Sequence, residues 1–180
     1  HSLRHAGCEV NMLAFNTKKH FIKPETLPAY FTGQFKLRSV FVDASIKLWP
    51  AFKNLFNSRS YNIDRFISED FEKELISVLS EKKYDVIMLE SLFMTPYIDT
   101  IKKLSAAKVV MHAHNVEHII WKRMYLAESN SLKKIYLKLL TSRLEHYEKN
   151  VCKNTDAIIA LTADDENLFK SFCGNFPVFA

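Results

Sequence analysis

Glycine is scarce: Gly7, Gly33 and Gly174 are the three in a chain of 180 residues. No two are close, so neither a G-x-G-x-x-G turn nor a P-loop can be written, which excludes a self-contained cradle for nucleotide phosphates. Cysteine is as sparse. Cys8, Cys152 and Cys173 are odd in number, widely spaced and without a C-x-x-C pair. That pattern argues against a disulfide framework or a structural zinc knot, and predicts three reduced thiols in a reducing compartment, the cytoplasm by default. No apolar run approaches the roughly 18 residues that span a bilayer. The opening HSLRHAGCEV also lacks the basic-then-apolar layout of a signal peptide. Sequence repeats and low-complexity tracts are absent as well.

What is present is enough for a core: 48% of residues are hydrophobic, 13% aromatic and 25% charged, the composition of a globular domain. Twenty-five Lys and Arg against 20 Asp and Glu leave a net charge of +5. A mild excess of this kind is compatible with nucleic acid, lipid head groups or phosphorylated sugars and does not choose among them. No interleaving of aromatic and basic residues like that of an RNA-recognition strand occurs, which disfavours nucleic acid.

Short apolar runs rich in β-branched residues recur at 8–15 (CEVNMLAF), 36–42 (KLRSVFV), 84–90 (YDVIMLE), 107–113 (AKVVMHA) and 156–162 (DAIIALT). Several are apolar on both faces, as central parallel strands require. Helical patterns lie between them. Ser68 is placed to cap a helix with Glu69 and Asp70 in its first turn and Phe71, Leu75, Ile76 and Leu79 as its apolar stripe. Thr162 and Asp165 form a capping box ahead of Leu168, Phe169 and Phe172. From 131 to 153, Leu132, Tyr136, Leu139, Leu140, Leu144, Tyr147 and Val151 recur at helical spacing with lysines off the stripe, predicting a long amphipathic helix. The polar stretch 16–34, with Pro24, Pro28 and Gly33, predicts a long excursion between the first two strands. Strand and helix in alternation predict an α/β fold: a Rossmann-like, mainly parallel sheet with helices on both faces. SLRHAG at the start reads as the last turn of a helix closed by Gly7, and FPVFA at the end as a strand. Both suggest a piece of a larger protein.

The densest group of chemistry-bearing residues is MHAHNVEH, 111–118, where a strand ends and a helix begins. His112 and His114 project to one side of the strand, and Asn115 can cap the helix. Three readings compete. His112, His114, His118 and Glu117 could be metal ligands, since an HxH pair at a strand end occurs in metallohydrolases, although the HxHxDH spacing of one such class is not met and no outlying Asp or His cluster completes a site. His112 could be a core histidine and Asn115 only a cap. Or His114 could be a neutral polar group or general base aimed into a cleft. Glu90, ending its strand, is either a cleft residue or a partner for a neighbouring helix end. Arg59, Tyr61 and Arg65 could clamp an acceptor anion, against the plainer outcome of a solvated loop with one buried tyrosine. The basic long helix could touch a membrane surface or simply present a solvated face.

YDVIMLESLFMTPYID (84–99), KVVMHAHNVEHIIWKRM (108–124) and the helix ending RLEHYEKNVCKNTDAIIALTADD (143–165) resemble the N-terminal half of a GT-B glycosyltransferase of the group 1, family 4 retaining type. SLRHAGCEVNMLAFNTKKH (2–20) is similar to the end of that family's first helix, its second strand and the loop after it. The strand followed by HNVEH is the most specific part. The resemblance implies the acceptor-side domain, residues 1–180, of a two-domain enzyme of polysaccharide biosynthesis, without its first strand and its donor-binding domain. It implies transfer of a hexose from a nucleotide-sugar to a glycan or lipid-linked acceptor with retained configuration, and inactivity of this segment alone. His114 matches the histidine that faces the cleft and is the implied catalytic residue. Glu90, Asn115 and Glu117 accompany it as substrate-binding residues, and Arg59 and Tyr61 are added from the loop. No cofactor and no metal are implied, nor nucleic acid, while peripheral membrane contact is compatible. The alternative is a non-catalytic α/β module that binds an anionic ligand.

Overall fold

The computed structural model of the chain describes residues 2–180, and of residues 2, 24, 30 and 32 the backbone alone. Helix α1 (Ser2–His5) ends at Gly7, whose φ of +83° is open to glycine and strained for other residues. Gly7 N–H donates to Arg4 O and Cys8 N–H to Leu3 O, the paired bonds of a Schellman motif. Strand β1 (Leu13–Thr17) leads into the excursion expected from its prolines: 3-10 turns at Lys18–His20 and Pro24–Thr26, then α2 (Ala29–Gln34). Strand β2 (Arg38–Val42) returns parallel to β1, with Leu13 opposite Arg38.

Helices α3 (Leu48–Asn54), α4 (Tyr61–Asp64) and α5 (Glu69–Glu81) follow, then β3 (Val86–Leu89). A 3-10 segment (Leu92–Tyr97) continues into α6 (Ile98–Leu104) and β4 (Lys108–Ala113). The chain closes with α7 (Glu117–Ala127), α8 (Ser131–Val151), β5 (Ala157–Ala160), α9 (Ala163–Cys173) and β6 (Val178–Phe179). The fold is therefore α/β and Rossmann-like, with helices around parallel sheets. Every strand pairing among the described residues is parallel, but the ladder is in two parts: β1–β2, and β3–β4–β5–β6 in that order. The two parts share one core. Leu13, Phe15 and Val40 pack against the cluster that holds Phe71, Tyr97, Val109, Met111, Leu144 and Phe169, and the Phe15 and Phe71 rings lie 4.3 Å apart. Each such fully buried side chain contributes roughly 1.5–3 kcal/mol.

The caps expected at Ser68 and Thr162 form. Ser68 Oγ accepts from Phe71 N–H, and Thr162 Oγ accepts from Asp165 N–H while its own O–H donates to the Asp165 carboxylate. The long helix forms as well, but its buried face is Leu137, Leu140, Thr141, Leu144, Glu148 and Val151. Leu132 is 80% exposed and lies outside the core. The cysteine expectation is corrected. Cys152, at the C-cap of α8, and Cys173, at the end of α9, are joined as a disulfide with Cα atoms 5.9 Å apart, and Cys8 alone is free. Spacing along the chain could not show that β5 and its flanking helices return position 173 to position 152. No helix among the described residues is long and apolar enough to cross a membrane.

Candidate functional site at the carboxyl edge of the sheet

Strands β3 and β4 run in parallel with Leu89 opposite Met111. The next rung therefore sets Glu90 beside His112, and His114, two residues on, projects to the same side. Glu90 Oε2 lies 2.8 Å from His112 Nδ1 and 3.1 Å from His114 Nε2, with the two imidazole centroids 5.0 Å apart. An ionised carboxylate only accepts, so each neutral ring carries its proton on the nitrogen facing Glu90. His114 then keeps Nδ1 as an acceptor for a ligand. The side chains of Glu90 and His114 are 56% and 48% exposed, that of His112 24%. Burial by itself pushes the Glu90 carboxyl up, but hydrogen bonds from His114 and His112 together outweigh it and hold the group below its ordinary value.

Ser91, next to Glu90, has φ +143° and ψ 167°, a region open to glycine that costs other residues on the order of 1–3 kcal/mol. The strain sits at the turn that aims Glu90 over the sheet edge.

Behind the cluster lies a second carboxylate–histidine pair that sequence reasoning missed. Glu148 of α8 is fully buried. It accepts from the backbone N–H groups of Glu117 (2.8 Å) and His118 (2.9 Å) and contacts His118 Nδ1 at 2.6 Å. A carboxylate from another helix thus satisfies orphan donors at the N-terminus of α7, where the positive end of the helix dipole favours it. The cap residue of α7 is Val116, with no side-chain capping bond, so Asn115 is not the cap expected of it. Burial and the neighbouring Glu148 charge push the Glu117 carboxyl, two residues on, above its ordinary value. A sequence signal for Glu148 existed: it falls four residues after Leu144, on the apolar stripe.

The residues set out from sequence therefore divide. Glu90, His112 and His114 converge, and Asn115 and Glu117 follow His114 directly in the chain. Tyr61 and Arg59 do not join them. The Tyr61 hydroxyl is committed to the backbone of Lys47, from whose N–H it accepts and to whose carbonyl it donates, and its ring is buried with Ala51 and Leu140. Arg59 forms an exposed pair with Asp64. Arg65 differs: it is half-buried, its guanidinium lies over the Phe66 ring, and its Nε is buried without a hydrogen-bond partner. Phe66 stacks on Phe93 at 4.6 Å, in the 3-10 segment that follows Glu90. His118, a ligand in the metal reading of the sequence, is 5% exposed and engaged by Glu148.

No protein-family model matches the chain, and no curated protein matches it.

Proposed function

We propose that the chain is the acceptor-side half of a retaining glycosyltransferase that moves a sugar from a nucleotide-sugar to a glycan or lipid-linked acceptor. The observation that carries the reading is the convergence of Glu90, His112 and His114 where parallel strands β3 and β4 end, the edge at which open α/β sheets bind ligands. In this reading Glu90 fixes the tautomer and orientation of His114, whose Nδ1 accepts from a sugar hydroxyl. Asn115 and Glu117 line the same mouth, and a second α/β domain holds most of the donor. The exposed Leu48, Trp49 and Phe52 of α3, Phe56 in the turn after it, and Leu132 and Ile135 of α8 support a peripheral contact with membrane for a lipid-linked acceptor.

The test is His114→Ala in the full-length enzyme, assayed with UDP- and GDP-hexoses. Transfer falls at least about tenfold, or roughly 1.4 kcal/mol of barrier, with little change in melting temperature. Unchanged specific activity would remove His114 from the site. A non-catalytic module for an anionic ligand is the second reading, favoured by Arg65. A half-buried guanidinium without a carboxylate partner is costly, and a bound phosphate or carboxylate would satisfy it. Micromolar binding of inorganic phosphate or a sugar phosphate to the 180-residue chain, lost in Arg65→Gln, with no transfer by any longer form, would favour that module over the enzyme.

A further inference from the structure

We propose that Glu90, His112 and His114 form a three-ligand site for a divalent transition-metal ion of the zinc class, with the remaining coordination position open to water or a ligand oxygen. One ligand atom from each of Glu90, His112 and His114 lies within 4.8 Å of the others, and Nδ1 of His112 and Nε2 of His114 are 2.8 and 3.1 Å from the same Glu90 oxygen. Ligand atoms around a tetrahedral zinc at its usual bond lengths are about 3.3 Å apart. The cluster therefore accepts the ion with small side-chain rotations and no backbone rearrangement.

Two imidazoles with one carboxylate are the donor set that zinc and its neighbours in the first transition row take, rather than calcium or magnesium. The rings need not change charge. The proton each holds toward Glu90 moves to its other nitrogen, and the freed lone pair turns to the metal. The half-exposed Glu90 and His114 leave an entry path. The chemically similar pair behind the cluster cannot do this: Glu148 and His118 are 0% and 7% exposed, and Glu148 is already committed to two backbone donors. The metal set suggested by the sequence thus loses His118 and Glu117 and gains Glu90, contributed by the neighbouring strand.

A metal here occupies the nitrogen that His114 otherwise uses toward Glu90, so in the proposed transferase it acts as an inhibitor. Binding itself does not depend on that activity. It is read on the 180-residue chain without donor or acceptor, so the metal site and the transferase reading fail separately.

Titration with cobalt(II), followed by its visible absorption and by competition with zinc, gives the affinity. Wild-type chain binds zinc in the micromolar range. Because loss of an outer-sphere partner alone weakens metal sites about 10–100-fold, His112→Ala and Glu90→Gln each weaken binding at least about tenfold. His146→Ala, on the exposed surface of α8, leaves it unchanged. Far-UV circular dichroism checks that the variants fold. On the wild-type chain, zinc shifts the imidazole resonances of His112 and His114 and spares those of His118, which decides the matter if a variant does not fold. Affinity no better than millimolar, equal affinity in wild type and both ligand variants, or a zinc-induced shift at His118 alone overturns the proposal.

Discussion

Two carboxylate–histidine pairs stand on either side of the NVE segment, made from the same groups and opposite in environment. Glu148 and His118 lie inside, at 0% and 7% side-chain exposure. Glu90 serves His112 and His114 at the sheet edge with its own side chain 56% exposed. Inside, both Glu148 oxygens are engaged, by two backbone donors at a helix start and by the His118 imidazole, and removing one partner strands the other. At the edge, water competes for the same bonds, so the pair adds little to stability and its nitrogens stay available to a ligand. Burial, not residue type, separates the structural pair from the candidate site.

The sharpest way to break the comparison is Glu148→Ala. It leaves His118 and two backbone donors of α7 buried without an acceptor, and we expect a loss of about 3–5 kcal/mol in urea unfolding. A loss below about 1 kcal/mol would put the buried pair in the same class as the exposed one. Next comes Ser91→Gly, which should raise stability by about 1 kcal/mol, because glycine reaches φ near +143° without the cost a Cβ imposes, less its own entropy in the unfolded chain. A melting temperature that falls would show that the turn aiming Glu90 is not strained.

Glu117 lies between the pairs. Its folded pKa is raised above the ordinary 4.5, so the native state holds its proton more tightly than the unfolded chain, and stability is lost as pH rises from 4.5 to the folded value. Glu117→Gln should therefore be more stable than wild type at neutral pH, with the gain gone in acid; equal urea midpoints at neutral pH would contradict this. The smallest effect belongs to Glu90, whose folded pKa is lowered from 4.5. Its contribution is fully present above that pH and disappears as pH falls through the folded value. Glu90→Gln should cost less than about 1 kcal/mol at neutral pH and converge with wild type in acid. A difference that persists in acid would assign Glu90 a packing role.

Local signals were readable because their physics is local. Ser68 and Thr162 cap helices three residues away, and four of the five runs proposed as strands contain one, while β1 (Leu13–Thr17) begins inside the first run and ends two residues beyond it. Contacts between distant segments were not. The capping of α7 belongs to Glu148, about 30 residues on. Asn115, the right residue type in the right place, yielded that role because a buried carboxylate from α8 reached the same donors. The Tyr61 hydroxyl was taken by a backbone 14 residues away. Cys152 and Cys173, 21 residues apart, met because helix ends around β5 met.

By itself the sequence determined the α/β class, the strand that carries His112 and ends just before His114, the helix that follows it, and the placement of all three histidines of MHAHNVEH at one strand-to-helix junction. Only the tertiary structure decided which carboxylate each histidine meets. Side-chain period within a strand follows from backbone geometry alone, whereas the register that sets Glu90 beside His112, and the packing that drives Glu148 under α7, are properties of segments brought together by the core.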